Sequence, residues 1–265
     1  MGFSAANIQK GAKKVPRKVL IYGPPKLGKS TLAGSTKNAL MIPTEDRVSH
    51  IDCDKTDVIH DFKEIYDIFD FLMKGKSGYK RIIIDTLDWL EPLLHKHICE
   101  KNGFKSLTDD HNKETTFQKG LKYHAVAGWK TFLHNCDVLR ESGTDIIFTA
   151  HSNVITINPP DTDSYDKYVM KIDKNALSVV EEWADCIGFY DKKVYFKQDE
   201  SGITKKNKVI SDNSRVLYLS GENPAMISGN SFGLHDIEVE LESCSEIMEW
   251  ILTANNNKKI IKESK

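Results

Sequence analysis

Short apolar runs recur along the first part of the chain and alternate with longer stretches of helical periodicity. The runs occupy residues 19–22, 39–42, 81–84 and 146–150. Continuous rather than alternating hydrophobicity indicates strands buried on both faces, as in a parallel sheet. Residues 61–74 and 121–141 carry apolar side chains at the spacing of an amphipathic helix. The pattern predicts an α/β fold, with a mostly parallel sheet flanked by helices.

Beyond residue 186 the pattern changes to short strands at 186–190, 194–197 and 216–219, separated by turn residues. We expect these strands to extend the sheet in antiparallel orientation. The predicted organisation is a basic N-terminal arm, a core, a β-rich C-terminal extension of the core and a polar tail, over residues 1–18, 19–190, 191–254 and 255–265.

The first apolar run leads directly into Gly-Pro-Pro-Lys-Leu-Gly-Lys-Ser at residues 23–30, a complete G-x-x-x-x-G-K-[ST] phosphate-binding loop. A helix-compatible stretch follows it. Such a strand, loop and helix aim backbone N–H groups at one point, which suits nucleotide phosphates. Lys29 would supply a mobile positive charge, and Ser30 would place its hydroxyl on a magnesium ion. The predicted nucleotide-binding residues are Gly23, Pro24, Pro25, Lys26, Leu27, Gly28, Lys29, Ser30 and Thr31.

Polar residues also follow the predicted strands at 81–84 and 146–150. Asp85 ends the run at 81–84, where an acid beside the phosphate loop holds the metal ion. The alternative, a capping role for this Asp at the next helix, stays open. His151 follows the strand at 146–150, at the sheet edge where ligands bind; it is either a hydrogen-bond donor to a γ-phosphate or a histidine that starts a surface loop. For Asp88 we favour a role at the start of a helix.

The order of these motifs resembles the RecA/RadA recombinase core and, more closely, phage and prophage nucleotide-binding ATPases such as the short single-strand annealing proteins of the Sak-four type. The resemblance covers about residues 19–190. It implies ATP hydrolysis with ATP and Mg²⁺ as cofactors, with Glu45 activating the attacking water and His151 sensing the γ-phosphate. It also implies a role in DNA recombination, a homo-oligomeric ring or filament, and single-stranded DNA, with a single-strand DNA-binding protein, as partners.

The same resemblance assigns residues 152–174 and 101–120 to two DNA-binding loops. The first of these segments is expected to be a long polar loop with tyrosines that could stack on bases and lysines that could meet phosphates. Its aspartates oppose that interpretation, so a DNA loop and a mobile surface loop both stay open. No finger residue that acts on a neighbouring subunit is identified. The candidates, for each of which we favour plain surface charge, are Lys205, Lys206, Lys208 and Arg215.

Composition limits the remaining classes. A net charge of -1 excludes a generally basic surface, so a nucleic-acid site must be a local patch. The five cysteines are scattered, odd in number and without a Cys-x-x-Cys pair, which favours reduced thiols in the cytoplasm. No apolar run reaches the length of about 18 residues that spans a membrane. Two rival functions stay open: a nucleotide or small-molecule kinase, and an ATP-switched loader or adaptor of a replication protein.

Overall fold

The computed structural model describes residues 8, 11, 14–75, 77–199, 206–210 and 213–254, with only the backbone described at 195–199 and 206–210. Most of the basic arm, the polar tail and Lys205 therefore lie outside the described residues. The strands are β1 (Lys18–Gly23), β2 (Ala39–Pro43), β3 (Asp54–Lys55), β4 (Arg81–Asp85), β5 (Asp145–Ile157), β6 (Tyr165–Met170), β7 (Cys186–Lys192), β8 (Tyr195–Asp199), β9 (Lys206–Ile210), β10 (Arg215–Tyr218), β11 (Gly229–Asn230) and β12 (Ile237–Glu238). The α-helices are α1 (Lys29–Gly34), α2 (Phe62–Met73), α3 (Leu87–Asn102), α4 (Val126–Glu141), α5 (Lys174–Trp183) and α6 (Cys244–Thr253).

A mostly parallel sheet forms the centre of the fold, which confirms the predicted α/β class. Six strands run parallel in the spatial order β7, β1, β5, β4, β2, β3. Successive residues of β1 point to opposite faces: Leu20 and Tyr22 pack with helices α2 to α5, whereas Val19 and Ile21 pack with α1 and α6. Burial on both faces explains why these strands are continuously apolar in the sequence.

The predicted helices form, with shifted ends. Helix α2 begins after Asp61, whose side chain accepts from Lys63 N while Glu64 reaches back to the Asp61 backbone, a reciprocal capping box. The helix expected over 121–141 becomes regular only at Val126, because a π-helical stretch precedes it. Helix α1 follows the phosphate loop and is short, ending at Gly34.

Residues 152–174 do not form the long polar loop that we expected. Strand β5 continues through His151 to Ile157 and pairs with antiparallel β6, so that this segment is a β-hairpin followed by the start of α5. The β-branched residues at 154–157 suit the strand. Pro159 and Pro160 fall in the connection, where no backbone N–H is needed for the ladder.

The C-terminal strands meet the expectation only in part. Strand β10 is antiparallel to β7 and β12 is antiparallel to β10, as predicted. Strand β7 itself is parallel to β1, which corrects the prediction for 186–190. Strand β8 pairs with β9 in a separate two-stranded sheet, so the run at 194–197 does not extend the main sheet.

The end of the basic arm is part of the fold. Arg17 is buried, its guanidinium carbon lies 3.4 Å from the centre of the Phe232 ring, and its side chain donates to the carbonyl of Ala254. Its backbone N–H donates to Asp145 at 2.7 Å. Arg17 therefore stabilises the start of β1 and is neither a solvated charge nor a phosphate contact. In the part of the chain that the structure describes, we find no helix with the length and apolarity needed to cross a bilayer.

Strand order and register bring the candidate residues to one edge of the sheet. Strand β5 lies between β1 and β4, with His151 opposite Gly23. On the other side of β4, Asp85 stands opposite Pro43 of β2. Because the carboxyl ends of parallel strands share one edge, the phosphate loop, Asp85 and His151 converge there.

Candidate nucleotide-binding site

The phosphate loop begins at a close contact between two backbones. A Cβ on Gly23 would lie 2.0 Å from the carbonyl oxygen of Tyr190 on β7, so no larger residue fits there. Gly28 has φ +94°, a left-handed conformation that favours glycine. Leu27 packs into the core and anchors the loop. The loop thus takes its shape from both glycines and from one buried leucine.

Lys29 lies folded back on its own loop. Its Nζ donates to the carbonyl oxygens of Gly23 at 3.0 Å and Pro24 at 2.9 Å, and the residue is 4% exposed. Burial lowers the pKa of Lys29 to about 8, although the nearby carboxylates of Asp85, Asp88 and Glu45 oppose this shift. A phosphate is a stronger, charged hydrogen-bond acceptor for this ammonium group than the neutral carbonyls of Gly23 and Pro24.

Ser30 and Asp85 form the side of the site that suits a metal ion. Ser30 Oγ donates to Asp85 Oδ1 at 2.9 Å, and Thr149 Oγ1 donates to the same oxygen. Asp85 Oδ2 is buried and has no hydrogen-bond partner among the described residues. Burial raises the pKa of Asp85, against the hydrogen bonds from Thr149 and Ser30. A hydroxyl beside an unsatisfied carboxylate oxygen is the hard donor set that Mg²⁺ prefers, so these residues fit magnesium.

Mg²⁺ needs few protein ligands when a nucleotide is bound, because it keeps several waters and takes phosphate oxygens. Within the described ranges, no group of three or more His, Cys, Asp or Glu side chains could hold a metal ion by itself.

Glu45 is positioned through its neighbour Thr44. Thr44 N donates to the Asp85 carbonyl at 2.8 Å, while Thr44 Oγ1 donates to the carbonyl of Thr86 and accepts from its N–H, each at 2.8 Å. These bonds fix the segment after β2 to the end of β4. Glu45 lines the cleft, and burial raises the pKa of its carboxyl against the attraction of His151.

Asp88 is a site residue that the sequence interpretation missed. It lies in the first turn of α3, as expected, but its carboxylate accepts from His151 N and meets His151 Nδ1, each at 2.9 Å. Burial would raise the pKa of Asp88, yet the hydrogen bonds from His151 outweigh it and the pKa lies below its usual value. An ionised Asp88 only accepts, so Nδ1 carries the proton and the other ring nitrogen is left for the cleft.

We predict that Asp88 acts through His151. Asp88→Ala should slow ATP hydrolysis about tenfold in the wild-type background, because the imidazole loses its orientation. In a His151→Gln background the same substitution should change the rate less than about twofold, since an amide needs no tautomer control. Steady-state hydrolysis rates of the wild type, the two single variants and the double variant give the coupling between Asp88 and His151. Asp88→Ala also removes the hydrogen bond from the backbone N–H of residue 151, but it does so in both backgrounds, so this effect cancels in the comparison. If Asp88→Ala slowed hydrolysis equally in both backgrounds, Asp88 would have a purely structural role.

These residues surround one cleft of about 530 Å³. The sequence-predicted residues that line it include Lys29, Glu45 and His151, whereas Asp85 lies behind Ser30. The lining residues that sequence reasoning did not place in the site are Arg47, His50, Thr86, Arg215 and Leu241. Arg215 was considered only as a finger for a neighbouring subunit, yet it reaches the cleft of its own chain. The other finger candidates, Lys206 and Lys208, lie on β9, away from the main sheet.

A model of a known protein family matches most of the chain. Residues 15–230 match the family model described as an AAA domain, AAA_24. A solved structure of a KaiC-like protein from the hyperthermophilic archaeon Pyrococcus horikoshii matches with a TM-score of 0.37 and 12% identity, covering 85% of this chain and 90% of that one. No curated protein matches the chain. With a phosphate loop in place and a family match over most of its length, the chain belongs to the AAA domain family and is a P-loop NTPase.

Proposed function

We propose that the protein is a magnesium-dependent ATPase of RecA type that acts on single-stranded DNA in recombination, as in phages and prophages. The observation that carries the ATPase proposal is the pairing of Ser30 Oγ with Asp85 Oδ1 at 2.9 Å beside an unsatisfied Asp85 oxygen. A phosphate loop and a strand-end carboxylate so arranged are the parts that nucleotide hydrolysis requires.

Each site residue has a defined task in this reaction. Loop amides and Lys29, released from the Gly23 and Pro24 carbonyls, would bind the phosphates. Magnesium, held by Ser30 and Asp85, would neutralise charge on the phosphate oxygens.

Water attack completes the reaction. Glu45 orients a water whose oxygen bonds to the γ-phosphorus as the bond to the bridging oxygen breaks, and it accepts the water proton. His151 contacts the γ-phosphate and so distinguishes ATP from ADP.

The β5–β6 hairpin is the segment that the DNA part of the proposal assigns to DNA binding. It starts at His151, and its return strand is tied back by Lys171 N, which donates to the His151 carbonyl at 2.8 Å. Beyond this base it exposes Val154 and Ile155, at 49% and 41%. One of the opposing aspartates, Asp166, is engaged by Thr156 across the hairpin at 2.7 Å.

Helix α3 connects this hairpin to the nucleotide cleft. Asp88 binds His151 at one end of the hairpin, and one turn later Glu91 accepts from Asp173 N at 3.0 Å at the other end. Burial raises the pKa of Glu91 to about 6, against the hydrogen bonds from Asp173 and Trp129. Helix α3 thus contacts the chain on both sides of the hairpin, at His151 before it and at Asp173 after it. A γ-phosphate that moves His151 would act on the hairpin through these contacts.

Phosphate release tests both parts of this proposal. We expect ATP hydrolysis that requires Mg²⁺, stops with a chelator and rises several-fold when single-stranded DNA is added. Equal rates with and without DNA would contradict the DNA part alone. No release under any condition, together with ATP-dependent capture of a replication protein, would favour the loader or adaptor. We also propose that the protein forms a homo-oligomeric ring or filament. Light scattering in the presence of ATP and single-stranded DNA tests this by measuring the mass of the complex.

A further inference from the structure

Arg215 stands at the nucleotide cleft of its own chain because of how the C-terminal strands pair. Strand β10 is antiparallel to β7, so its first residue lies opposite Lys192 at the end of β7. Strand β7 is parallel to β1, whose end leads into the phosphate loop. The start of β10 therefore reaches the same sheet edge as the loop.

The guanidinium of Arg215 lies directly against the loop backbone. Its Nη1 would be 3.2 Å from a Cβ placed on Gly28, and Arg215 lines the same cleft as Lys29 and Thr31. A methyl group at Gly28 would come within 3.2 Å of this nitrogen, so the guanidinium lies close to the loop. This approach places a second cation beside the residues that would receive the phosphates.

Tyr190 on β7 holds this arginine in place. Its side chain forms a hydrogen bond with Arg215, and although burial raises the pKa of the Tyr190 hydroxyl, Arg215 opposes that shift. Tyr190 is 1% exposed, and its carbonyl makes the close contact with Gly23 described above. The residue that shapes the start of the loop is therefore also a partner of the cation.

We propose that Arg215 is a phosphate ligand that acts in cis, so that each subunit supplies its own arginine to the nucleotide. This inference rests on the proposed nucleotide site and goes beyond it by naming a residue and the subunit that provides it. The planar guanidinium offers a fork of N–H donors that matches phosphate oxygens, which an ammonium group does not. An arginine supplied in cis is a known way to stabilise phosphate charge.

Nucleotide binding to single variants tests the contact. Arg215→Ala should weaken Mg·ATP binding about 10- to 100-fold in calorimetry, the loss expected for a charge-assisted hydrogen bond. Arg215→Lys should recover only part of the affinity, because it keeps the charge and loses the fork. Lys192→Ala, an exposed cation opposite Arg215 in the sheet, is the matched control and should bind normally. Wild-type affinity in both Arg215 variants would overturn the proposal.

Mixing Arg215→Ala subunits with Lys29→Ala subunits distinguishes action in cis from action in trans. An Arg215→Ala subunit keeps an intact loop, and a Lys29→Ala subunit keeps Arg215. If Arg215 acts in cis, a mixture of the two shows no more ATP hydrolysis than the sum of its parts, at any protein concentration. A gain in activity on mixing would overturn the proposal in favour of a finger from the neighbouring subunit. Loss of binding in Lys29→Ala but not in Arg215→Ala would reject this inference and leave the nucleotide site standing.

Discussion

Lys29→Ala is expected to weaken nucleotide binding strongly while the protein stays folded. Lys29 is the buried cation of the loop, and truncating one partner of a buried charge contact costs about 2 to 5 kcal/mol, or about 30- to 5,000-fold in affinity. ATP hydrolysis should fall at least about 100-fold. Calorimetry with Mg·ATP and phosphate release measure the two effects. Lys37→Ala, which removes an exposed lysine just beyond α1, is the control of equal charge and should bind normally.

In the absence of nucleotide, Lys29→Ala should also change how the free energy of unfolding depends on pH. The pKa of Lys29 in the folded protein is about 8, below the usual lysine value of 10.5, so the unfolded chain binds more protons between these values. The free energy of unfolding of the wild type should therefore rise relative to Lys29→Ala as the pH increases from about 8 to 10.5. Below pH 8 the cost of burying the charge is fully present. A constant difference across that window would contradict a buried, desolvated Lys29.

The phosphate loop could be predicted from the sequence because its signal is local. Gly23, Gly28, Lys29 and Ser30 stand within eight residues, and the strand before them and the helix after them set the direction of the loop. Asp85 and His151 follow from one further argument: buried parallel strands end at a common edge, so the residues after them meet. No knowledge of strand order is needed for that step.

Two contacts of the site depend on strand order and register, which could not be predicted from the sequence. Asp88 meets His151 only because β4 and β5 are neighbours and α3 leaves β4 toward β5. Arg215 reaches Gly28 only because β10 pairs antiparallel with β7, far along the chain. Both contacts join residues more than sixty positions apart, and a single sequence carries no local signal for either. The residues that orient and complete this site are thus the ones that the tertiary pairing supplies.

The hairpin at 152–170 illustrates a different limit. Its prolines and aspartates are typical of a loop by composition, whereas the β-branched residues 154–157 favour a strand. Pairing with β6 satisfies the backbone of β5 beyond the sheet edge, and this gain outweighs the polar composition. The composition correctly predicted an irregular connection around Pro159 and Pro160 but did not predict the two strands that flank it.

Glu45→Gln should separate hydrolysis from binding. Glutamine keeps the shape of the side chain but cannot accept the proton of the attacking water, so the hydrolysis rate should fall about 100- to 10,000-fold. Mg·ATP affinity should stay within about threefold of the wild type, because the phosphates are held by Lys29 and the loop. Single-turnover phosphate release and calorimetry measure the two quantities. Asp46→Asn, which removes the exposed carboxylate next to Glu45, is the matched control and should hydrolyse ATP normally.

The pH dependence of the wild type gives an independent view of the same group. Burial raises the pKa of Glu45, so the carboxylate that accepts the proton is lost at a higher pH than for an exposed glutamate. Hydrolysis should therefore decline as the pH falls through that raised pKa, while the residual rate of Glu45→Gln should not follow the same curve. A wild-type rate in Glu45→Gln would assign water activation to another group. If Glu45→Gln lost ATP affinity as strongly as Lys29→Ala, Glu45 would be part of the binding surface rather than the catalyst.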